Sequence, residues 1–483
     1  MRWWFIASTV GIFLIILGLT MILPLLASYH YQDGSHTCFI RSIAITTVTG
    51  FFLLLLSKSK ERDNSINQKE GMVTVALAWT AIGVFGSLPF FFSPFFYSFT
   101  DAFFESVSGF TTTGASIMTD IEAASRSLLL WRSLIQWLGG MGIIVLSLAV
   151  LPFLGVGGIQ LYKAEVPSPV PDKLTPRLSD SAKILWIVYA LLTLLLIIFL
   201  LGGGMSLYDA VCHALTTMPT GGFSTQNTSL AHYNSVMVEY TIIIFMILAG
   251  INFSLHFQMI RGKTLIFWKD TECRVFLLVL LLMILLVTWN IYGSVYSSFQ
   301  EAFRFASFQV VSIITTTGYA TADYEVFPGL SKLILFFCMF IGSCAGSTGG
   351  GIKFSRIIIA LKFCYRELFT IIHPRSVKKI KINNLVVPRE VLRQVMAFLA
   401  LYLGIFVLTS MILGIMGMDM LTCFGAVGSC LGNVGPGFGS VGPSENYAHF
   451  PAVAKWLLSF CMLLGRLEIY TVLILIVPEF WRK

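Results

Sequence analysis

The sequence predicts an all-α polytopic membrane protein: two N-terminal helices, then four repeats of a span, a re-entrant pore loop and a second span around one central pore. Three observations predict this fold class. The 483-residue chain is 56% hydrophobic and 12% charged, whereas a soluble domain is about one quarter charged. Apolar segments long enough to cross a bilayer recur along the chain. Short glycine-centred loops follow four shorter apolar stretches.

Ten apolar segments are each long enough to cross about 30 Å of hydrocarbon. The first is too long for the apolar core of a secretory signal and has no clear cleavage site, so we interpret it as a membrane helix. The eighth is too long for one span and is interrupted by glycines. The segments are residues 3–28, 38–57, 71–93, 128–153, 184–204, 234–260, 275–295, 331–372, 392–416 and 449–478.

The basic residues predict the orientation. They cluster after the second, fourth and sixth segments, before the ninth and at the chain end, so every cluster falls on one side of the membrane. The positive-inside rule makes that side cytoplasmic. We therefore expect cytoplasmic termini and outward-facing glycine loops, and no nucleic-acid-binding face despite the net charge of +8. The clusters are Lys58, Lys60 and Arg62; Lys163, Lys173, Arg177 and Lys183; Arg261, Lys263, Lys269 and Arg274; Arg366, Arg375, Lys378, Lys379, Lys381, Arg389 and Arg393; and Arg482 and Lys483.

The expected organisation is a two-helix preface followed by four pore repeats. The preface is residues 1–65, and the repeats are 66–165, 166–265, 266–385 and 386–483. In each repeat an acid opens a short apolar stretch that suits a half-helix rather than a span. These acids are Asp101, Asp209, Glu301 and Asp419. Acids are favoured in the first turn of a helix by its dipole; the alternative is a ring that attracts cations to the outer mouth.

The four glycine loops predict a filter for a dehydrated cation. Extended backbone with glycine at its tight point can present carbonyl oxygens that replace a hydration shell. No carboxylate lies within the loops, which favours a monovalent ion. The alternative is that the glycines serve close helix packing, but four copies in matching context argue against it. The candidate ion-binding residues are Thr112, Thr113, Gly114, Thr220, Gly221, Thr316, Thr317, Gly318, Asn433, Val434 and Gly435.

Ten small residues interrupt the eighth segment. They are Gly342, Ser343, Cys344, Ala345, Gly346, Ser347, Thr348, Gly349, Gly350 and Gly351. Unwound backbone at membrane depth is tolerated where protein buries it or where it lines an aqueous cavity. One interpretation of this stretch is a flexible kink for packing.

Arg466 lies deep within the last apolar segment, where a charge marks a functional site by default. We expect Arg466 to face the pore and to limit how many cations occupy it. The alternative is that Arg466 anchors a helix contact through backbone carbonyls. Glu468 points to a different helix face, so we expect it to pair with a neighbouring repeat, with Lys353 as one candidate.

Other chemistry finds little support in the sequence. The nine cysteines form no CxxC pair and lie mostly in apolar segments, which argues against a disulfide framework or zinc site. His213 and His256 are isolated and are interpreted as structural residues. No phosphate-binding loop, dinucleotide fingerprint or nucleophile with a base partner is present. The chain is therefore not expected to be an enzyme or to carry an organic cofactor.

The four units, with Thr-Thr-Thr-Gly in the first and third and Asn-Val-Gly-Pro-Gly in the fourth, resemble the TrkH/KtrB/HKT superfamily of potassium and sodium transporters. The length and the two extra N-terminal helices resemble its bacterial TrkH-type members. The second loop departs by carrying Pro219 and Gly222, and the fourth lacks threonine. The resemblance implies potassium uptake across the bacterial inner membrane, with Gly114 favouring potassium over sodium.

The same resemblance implies how the transporter is controlled. Residues 342–351 would be an intramembrane gate that moves aside to admit ions. The transporter would be a homodimer with one pore per protomer. Its partner would be a cytosolic ring of RCK/KTN-type regulatory subunits that bind a nucleotide, ATP/ADP or NAD. The alternative is a secondary transporter that couples potassium to protons or sodium; it would need a titratable residue in the ion path, and the loops supply none.

Overall fold

The structure, a computed structural model, describes residues 1–57, 68–150, 178–383 and 385–482. Helices dominate these residues, which confirms the predicted all-α polytopic fold. One small antiparallel hairpin pairs β1 (Lys381–Ile382) with β2 (Leu385–Val386). The predicted repeat boundaries near residues 65 and 165 lie outside the described residues. So do seven basic residues of the predicted cytoplasmic clusters, Lys58, Lys60, Arg62, Lys163, Lys173, Arg177 and Lys483.

Three helices form the N-terminal preface: α1 (Trp3–Thr20), α2 (Ile22–Tyr31) and α3 (His36–Ser57). Helices α1 and α3 pack against each other where Gly11 meets Gly50. A methyl group added to either glycine would lie 2.8 Å from the carbonyl oxygen of the other. Close backbone approach through small residues is the usual way that helices associate in a membrane.

The rest of the described chain repeats one order of elements four times: a long first helix, a short helix, a glycine loop and a second helix. The first helices are α4 (Gln68–Gly86, continued by α5, Leu88–Phe91), α8 (Leu178–Gly202), α13 (Thr271–Ile291) and α17 (Arg389–Ile415). The short helices are α6 (Phe99–Phe110), α9 (Leu207–Thr217), α14 (Phe299–Ile314) and α18 (Met420–Gly432). The second helices begin with α7 (Arg126–Val150), α10 (Val236–Gly250), α15 (Gly329–Cys338) and α19 (Ala452–Arg466).

Shorter elements complete the described chain. Further helices are α11 (Phe253–Ile260), α12 (Ile266–Lys269), α16 (Phe354–Ile372), α20 (Tyr470–Leu473) and α21 (Pro478–Trp481). Single 3₁₀ turns cover Ser229–Tyr233, Tyr324–Val326 and Ile474–Ile476. Large apolar side chains such as Leu56, Leu194 and Leu408 are exposed on the long helices, as expected for a surface that faces lipid rather than water.

Six helices of the described residues are long and apolar enough to cross a membrane, and two bent helix pairs could add two more spans. The predicted segments 234–260 and 449–478 are each bent at a break, which the sequence analysis did not predict. The first pair, α10 and α11, bends by 101°, and the second, α19 with residues 470–476, bends by 114°. The predicted interruption of the eighth segment is confirmed, because α15 ends at Cys338 and α16 begins at Phe354.

The short helices are buried inside the bundle and contain 12, 11, 16 and 13 residues. At 1.5 Å per residue they are too short to span the bilayer core, which confirms the predicted half-helices. Their acids lie in the first turn or at the N-cap, as the simpler interpretation expected. Asp101, Asp209 and Glu301 are in the first turn, and Asp419 caps α18 by accepting a 3.0 Å hydrogen bond from the Thr422 amide.

Candidate functional site

The four short helices end with the same backbone geometry. Within three residues of the end of each helix, a residue has a left-handed conformation. These residues are Thr112 (φ 53°), Thr220 (φ 57°), Thr316 (φ 58°) and Asn433 (φ 55°). The amide of each donates to the carbonyl three residues back, and the next amide donates to the carbonyl five residues back. These are the two hydrogen bonds of a Schellman motif. Threonine is branched at Cβ and rarely adopts this conformation, so the surroundings impose it.

Two residues further on, each loop has a glycine with positive φ. These glycines are Gly114, Gly222, Gly318 and Gly435, with φ of 83°, 74°, 79° and 105°. The prediction that Gly221 is the counterpart of the other three central glycines is therefore wrong by one residue. Gly221 instead matches Thr113, Thr317 and Val434. We call residues 111–115, 219–223, 315–319 and 432–436 ring loops 1 to 4.

Backbone contacts between neighbouring ring loops close a ring. A Cβ atom added to the glycine of one loop would lie less than 3.0 Å from a carbonyl oxygen of the next loop. Gly114 meets Gly221 in this way, Gly222 meets Thr317, Gly318 meets Val434, and Gly435 meets Thr113. Because each obstacle is backbone, a side chain at any of the four positions would displace the neighbouring loop. The sequence order of the loops is thus their order around the ring.

The four ring glycines also line one cavity of about 160 Å³, which we call the mouth cavity. Its wall includes Arg132, Asn227 and Glu445 besides the four glycines. The other predicted ion-binding residues, Thr112, Thr113, Thr220, Gly221, Thr316, Thr317, Asn433 and Val434, are buried within the ring loops. The structure therefore brings all eleven predicted residues together and adds Gly222 to them.

Side chains behind the ring hold its backbone in place. Gln136 of α7 donates a 2.7 Å hydrogen bond to the carbonyl of Gly221 and accepts one of 3.1 Å from the Phe223 amide. His213 uses both ring nitrogens, Nδ1 with the Asp209 carbonyl at 2.8 Å and Nε2 with Ser224 Oγ at 3.0 Å. Because the carbonyl can only accept, Nδ1 is the donor. The structural interpretation of His213 is confirmed.

Residues 342–351 form an irregular loop, which we call the intramembrane loop, packed against broken parts of neighbouring helices. The Cys344 amide donates to the carbonyl of Gly250 at the end of α10, and the Gly346 carbonyl accepts from the Phe253 amide at the start of α11. Glu272 of α13 joins the loop to the helix that follows it, because its Oε1 accepts 2.8 Å hydrogen bonds from the amides of Ala345 in the loop and Ser355 at the start of α16.

The intramembrane loop contacts the ring loops at the helix ends, away from the glycines that line the mouth cavity. The Gly350 amide donates a 2.7 Å hydrogen bond to Thr316 Oγ1. Thr348 Oγ1 donates to the carbonyl of Met218 at 2.9 Å. A Cβ added to Gly350 would lie less than 3.0 Å from atoms of Gly432 and Asn433. The loop therefore lies directly beneath ring loops 3 and 4 and beneath Met218, the residue that precedes ring loop 2.

Arg466 is buried and joins the intramembrane loop to the first repeat. Its Nη1 donates to the carbonyl of Thr348 at 2.8 Å, and its Nη2 donates to the carbonyl of Gly139 on α7 at 3.3 Å. Gly139 in turn packs closely on the carbonyl of Phe110, the last residue of α6. In this conformation Arg466 binds carbonyls, as the alternative interpretation proposed, and one of those carbonyls belongs to the intramembrane loop.

Glu468 pairs with a residue outside its own repeat, as expected. It forms an ion pair with Arg356 of α16, at 2.5 Å between Oε2 and Nη2, and Arg356 lies three residues beyond the suggested candidate Lys353. The Lys353 ammonium donates to the Gly349 carbonyl within its own segment. Glu468 and Ile469 have positive φ values of 57° and 42°, and this strained turn ends α19 and aims the carboxylate at α16.

Two functional side chains were missed by the sequence analysis. Arg132 and Glu105 form a buried ion pair beside the ring loops, and they lie too far apart in sequence for any spacing rule to have paired them. Gly222 could have been identified from the sequence, because a Thr or Asn two residues before the ring glycine recurs in all four loops.

A buried ring of backbone loops that surrounds one cavity, inside a bundle of membrane-spanning helices, defines this chain as a membrane transport protein. A family model described as "TrkH: Cation transport protein" matches residues 35–483. The chain therefore belongs to the TrkH family of cation transport proteins.

Individual relatives agree with this membership over nearly the whole chain. The chain is 40% identical to the Trk system potassium uptake protein TrkH of Halomonas elongata, with 99% of each chain covered. It is 39% identical to the protein of the same description from Escherichia coli, again with 99% of each covered. The crystal structure of the potassium transporter TrkH from Vibrio parahaemolyticus matches with a TM-score of 0.92, 36% identity and 100% coverage of both chains.

Proposed function

We propose that this protein takes up potassium across the bacterial inner membrane, with the four ring loops as its selectivity filter. The observation that carries the proposal is the closed ring in which Gly114, Gly222, Gly318 and Gly435 line one cavity. Relatives described as potassium uptake proteins support the choice of ion. Potassium is the substrate, and this chain needs no organic cofactor.

The chemistry of the ring loops suits a weakly held monovalent cation. Backbone carbonyls can replace a hydration shell without binding the ion so tightly that it cannot leave. The loops contain no Asp or Glu, which rings that select divalent cations use. The ion-binding residues are the eleven predicted ones together with Gly222. Because the loops also offer no titratable group in the ion path, they favour a channel-like mechanism over coupling to protons.

The intramembrane loop is the gate, and Arg466 is one of the residues that hold it in the closed position. The loop lies beneath ring loops 3 and 4 through Thr316 and Asn433, and it bonds Met218, the residue that precedes ring loop 2. Its hydrogen bonds to α10, α13 and Arg466 hold it there. Ion flux then requires these hydrogen bonds to break together. A force on the chain segments that follow the helix breaks would break them.

The orientation, assembly and regulation follow from the same proposal. The basic connections support cytoplasmic termini and a mouth cavity on the outer side. Residues 66–165, 166–265, 266–385 and 386–483 act as the four pore repeats behind the preface of residues 1–65. The protein works as a homodimer with one pore per protomer. A cytosolic RCK/KTN-type ring that binds ATP/ADP or NAD controls the gate through the basic surface around α16.

The test is radioactive rubidium uptake into proteoliposomes made from the purified protein, with and without the cytosolic ring. We expect uptake above that of protein-free liposomes, a reversal potential that follows the potassium gradient, and a change in flux when nucleotide is added with the ring. Absence of rubidium uptake in both preparations would refute the proposal. A reversal potential that moves with an imposed proton or sodium gradient would favour the coupled transporter instead.

A further inference from the structure

A buried ion pair lies beside the ring loops. Arg132 of α7 donates from Nε to Glu105 Oε1 of α6 at 2.6 Å, and the two side chains are 3% and 0% exposed. Removing two charges from water is costly, so a buried pair needs further hydrogen bonds on both partners. Here those further bonds go to the residues that directly follow ring loops 1 and 2, which gives each partner a structural task.

Glu105 holds the chain that leaves ring loop 1. Its carboxylate accepts hydrogen bonds from Ser116 Oγ at 3.0 Å and from the Ile117 amide at 3.0 Å. Ser116 lies two residues after Gly114. The carboxylate therefore ties the exit of ring loop 1 back to α6, the helix that enters it.

Arg132 holds the chain that leaves ring loop 2. Its Nη1 donates to the Ser224 carbonyl at 2.9 Å, and its guanidinium lies over the Phe223 ring at 3.7 Å. A cation stacked on an aromatic face in a desolvated place is strongly attracted. Gln136, one helical turn further along α7, lies on the same face and binds the same loop. The ion pair therefore couples the exits of two adjacent ring loops.

The residues at the equivalent position in the other repeats indicate the structural role of Glu105. Glu105 lies nine residues before Gly114, and His213 and Gln309 lie nine residues before Gly222 and Gly318. His213 bonds Ser224 Oγ at 3.0 Å, and Gln309 donates to Thr321 Oγ1 at 3.3 Å. Three of the four short helices thus use this position to hold the outgoing chain. Glu105 is the charged member of the set, and it alone needs an arginine.

We propose that Arg132 and Glu105 are positioning residues that determine ion selectivity by fixing the spacing between ring loops 1 and 2. This inference rests on the proposed function of the ring loops as a filter. Discrimination between potassium and a smaller ion depends on how the coordinating oxygens are spaced and how freely they move. Arg132 lines the mouth cavity. Pairing with Glu105 cancels the positive charge of Arg132 there, so the ion pair does not repel cations.

The test compares Arg132→Lys and Ser116→Ala with Arg304→Lys as a matched control. Lysine keeps the charge but cannot bond Glu105, bond the Ser224 carbonyl and stack on Phe223 together. Ser116→Ala removes one contact of Glu105 without changing any charge. Arg304 pairs with Glu239 at 3.4 Å between α14 and α10 and is also largely buried, but this pair makes no hydrogen bond to a ring loop among the described residues.

The readout is the potassium-to-sodium permeability ratio from bi-ionic reversal potentials in proteoliposomes. We expect Arg132→Lys to lower the ratio by roughly tenfold, the factor that matches loss of one buried charge-assisted hydrogen bond. Ser116→Ala should lower it less, and Arg304→Lys should keep the wild-type ratio. An unchanged ratio in a well-folded Arg132→Lys protein, or an equal loss in Arg304→Lys, would overturn the inference. If Arg132→Lys does not fold, the ratio of Ser116→Ala decides. Failure of the wild-type protein to carry rubidium would instead count against the proposed function.

Discussion

The backbone amide of Gly350 donates a 2.7 Å hydrogen bond to the side-chain hydroxyl of Thr316. Gly350 belongs to the intramembrane loop, and Thr316 is the left-handed residue of ring loop 3. The proposed gate and the proposed filter therefore share one hydrogen bond. The Thr112 hydroxyl, at the same place in ring loop 1, has no hydrogen-bond partner within the described residues. The gate thus binds one side of a ring whose opposite side keeps a free hydroxyl.

Replacement of Thr316 by Val should raise the basal rubidium flux measured without the regulatory ring. The substitution removes the acceptor of the buried Gly350 amide, and an unsatisfied buried amide costs about 1–3 kcal/mol. That cost falls on the closed position of the loop. Thr316→Ser retains a hydroxyl, so it should leak less than Thr316→Val. Equal basal flux in the two variants would show that this hydrogen bond does not hold the gate.

Replacement of Gly114 by Ser should lower the potassium-to-sodium permeability ratio. The new Cβ would press on the backbone carbonyl of Gly221, so ring loops 1 and 2 must separate. Gly404→Ser is the control, because nothing lies within 4 Å of a Cβ added at Gly404 of α17. Bi-ionic reversal potentials measure the ratio. If Gly114→Ser has the same permeability ratio as Gly404→Ser, the contact between ring loops 1 and 2 does not determine selectivity.

Replacement of Gly222 by Ala should reduce rubidium uptake more than replacement of Gly221 by Ala. Gly222 has φ of 74°, where a side chain is strained, and its Cβ would press on the backbone carbonyl of Thr317. A Cβ at Gly221 would instead meet the side-chain amide of Gln136, and a side chain can shift, at the cost of its hydrogen bonds, without displacing a neighbouring loop. Uptake by both variants at matched protein amounts checks the register of ring loop 2. The opposite order of severity would restore Gly221 as the ring glycine.

Replacement of Glu272 by Ala should also raise basal flux. Its Oε1 is the shared acceptor for the amides of Ala345 and Ser355, so the substitution frees the intramembrane loop and the start of α16 at once. Glu272→Gln keeps an acceptor oxygen in the same place and should leak less. Comparison of the two variants separates loss of the hydrogen bonds from loss of the charge. A leak confined to Glu272→Gln would contradict the role assigned to these bonds.

The sequence was informative where local composition determines the structure. Glycine runs at membrane depth have few other uses, so the ring loops and the break at residues 342–351 could be predicted. The breaks after Gly250 and Arg466 could not, because the few polar residues there, such as Asn252 and Glu468, stand singly between apolar residues. Tertiary contacts produce these breaks: Asn252 caps α11, and Glu468 turns toward Arg356. The pairing of Arg132 with Glu105 depends on how α6 and α7 pack, which no sequence spacing records.

The contacts between neighbouring ring loops constrain how the amino-acid sequences of such proteins can diverge. Each ring glycine occupies space bounded by the backbone of its neighbour, and the fourth is bounded by the first. No repeat can therefore enlarge its own loop while the others stay as they are. A replacement in one loop therefore also displaces the loop of the next repeat, so a change of ion preference in this architecture involves at least two repeats even when only one residue is replaced.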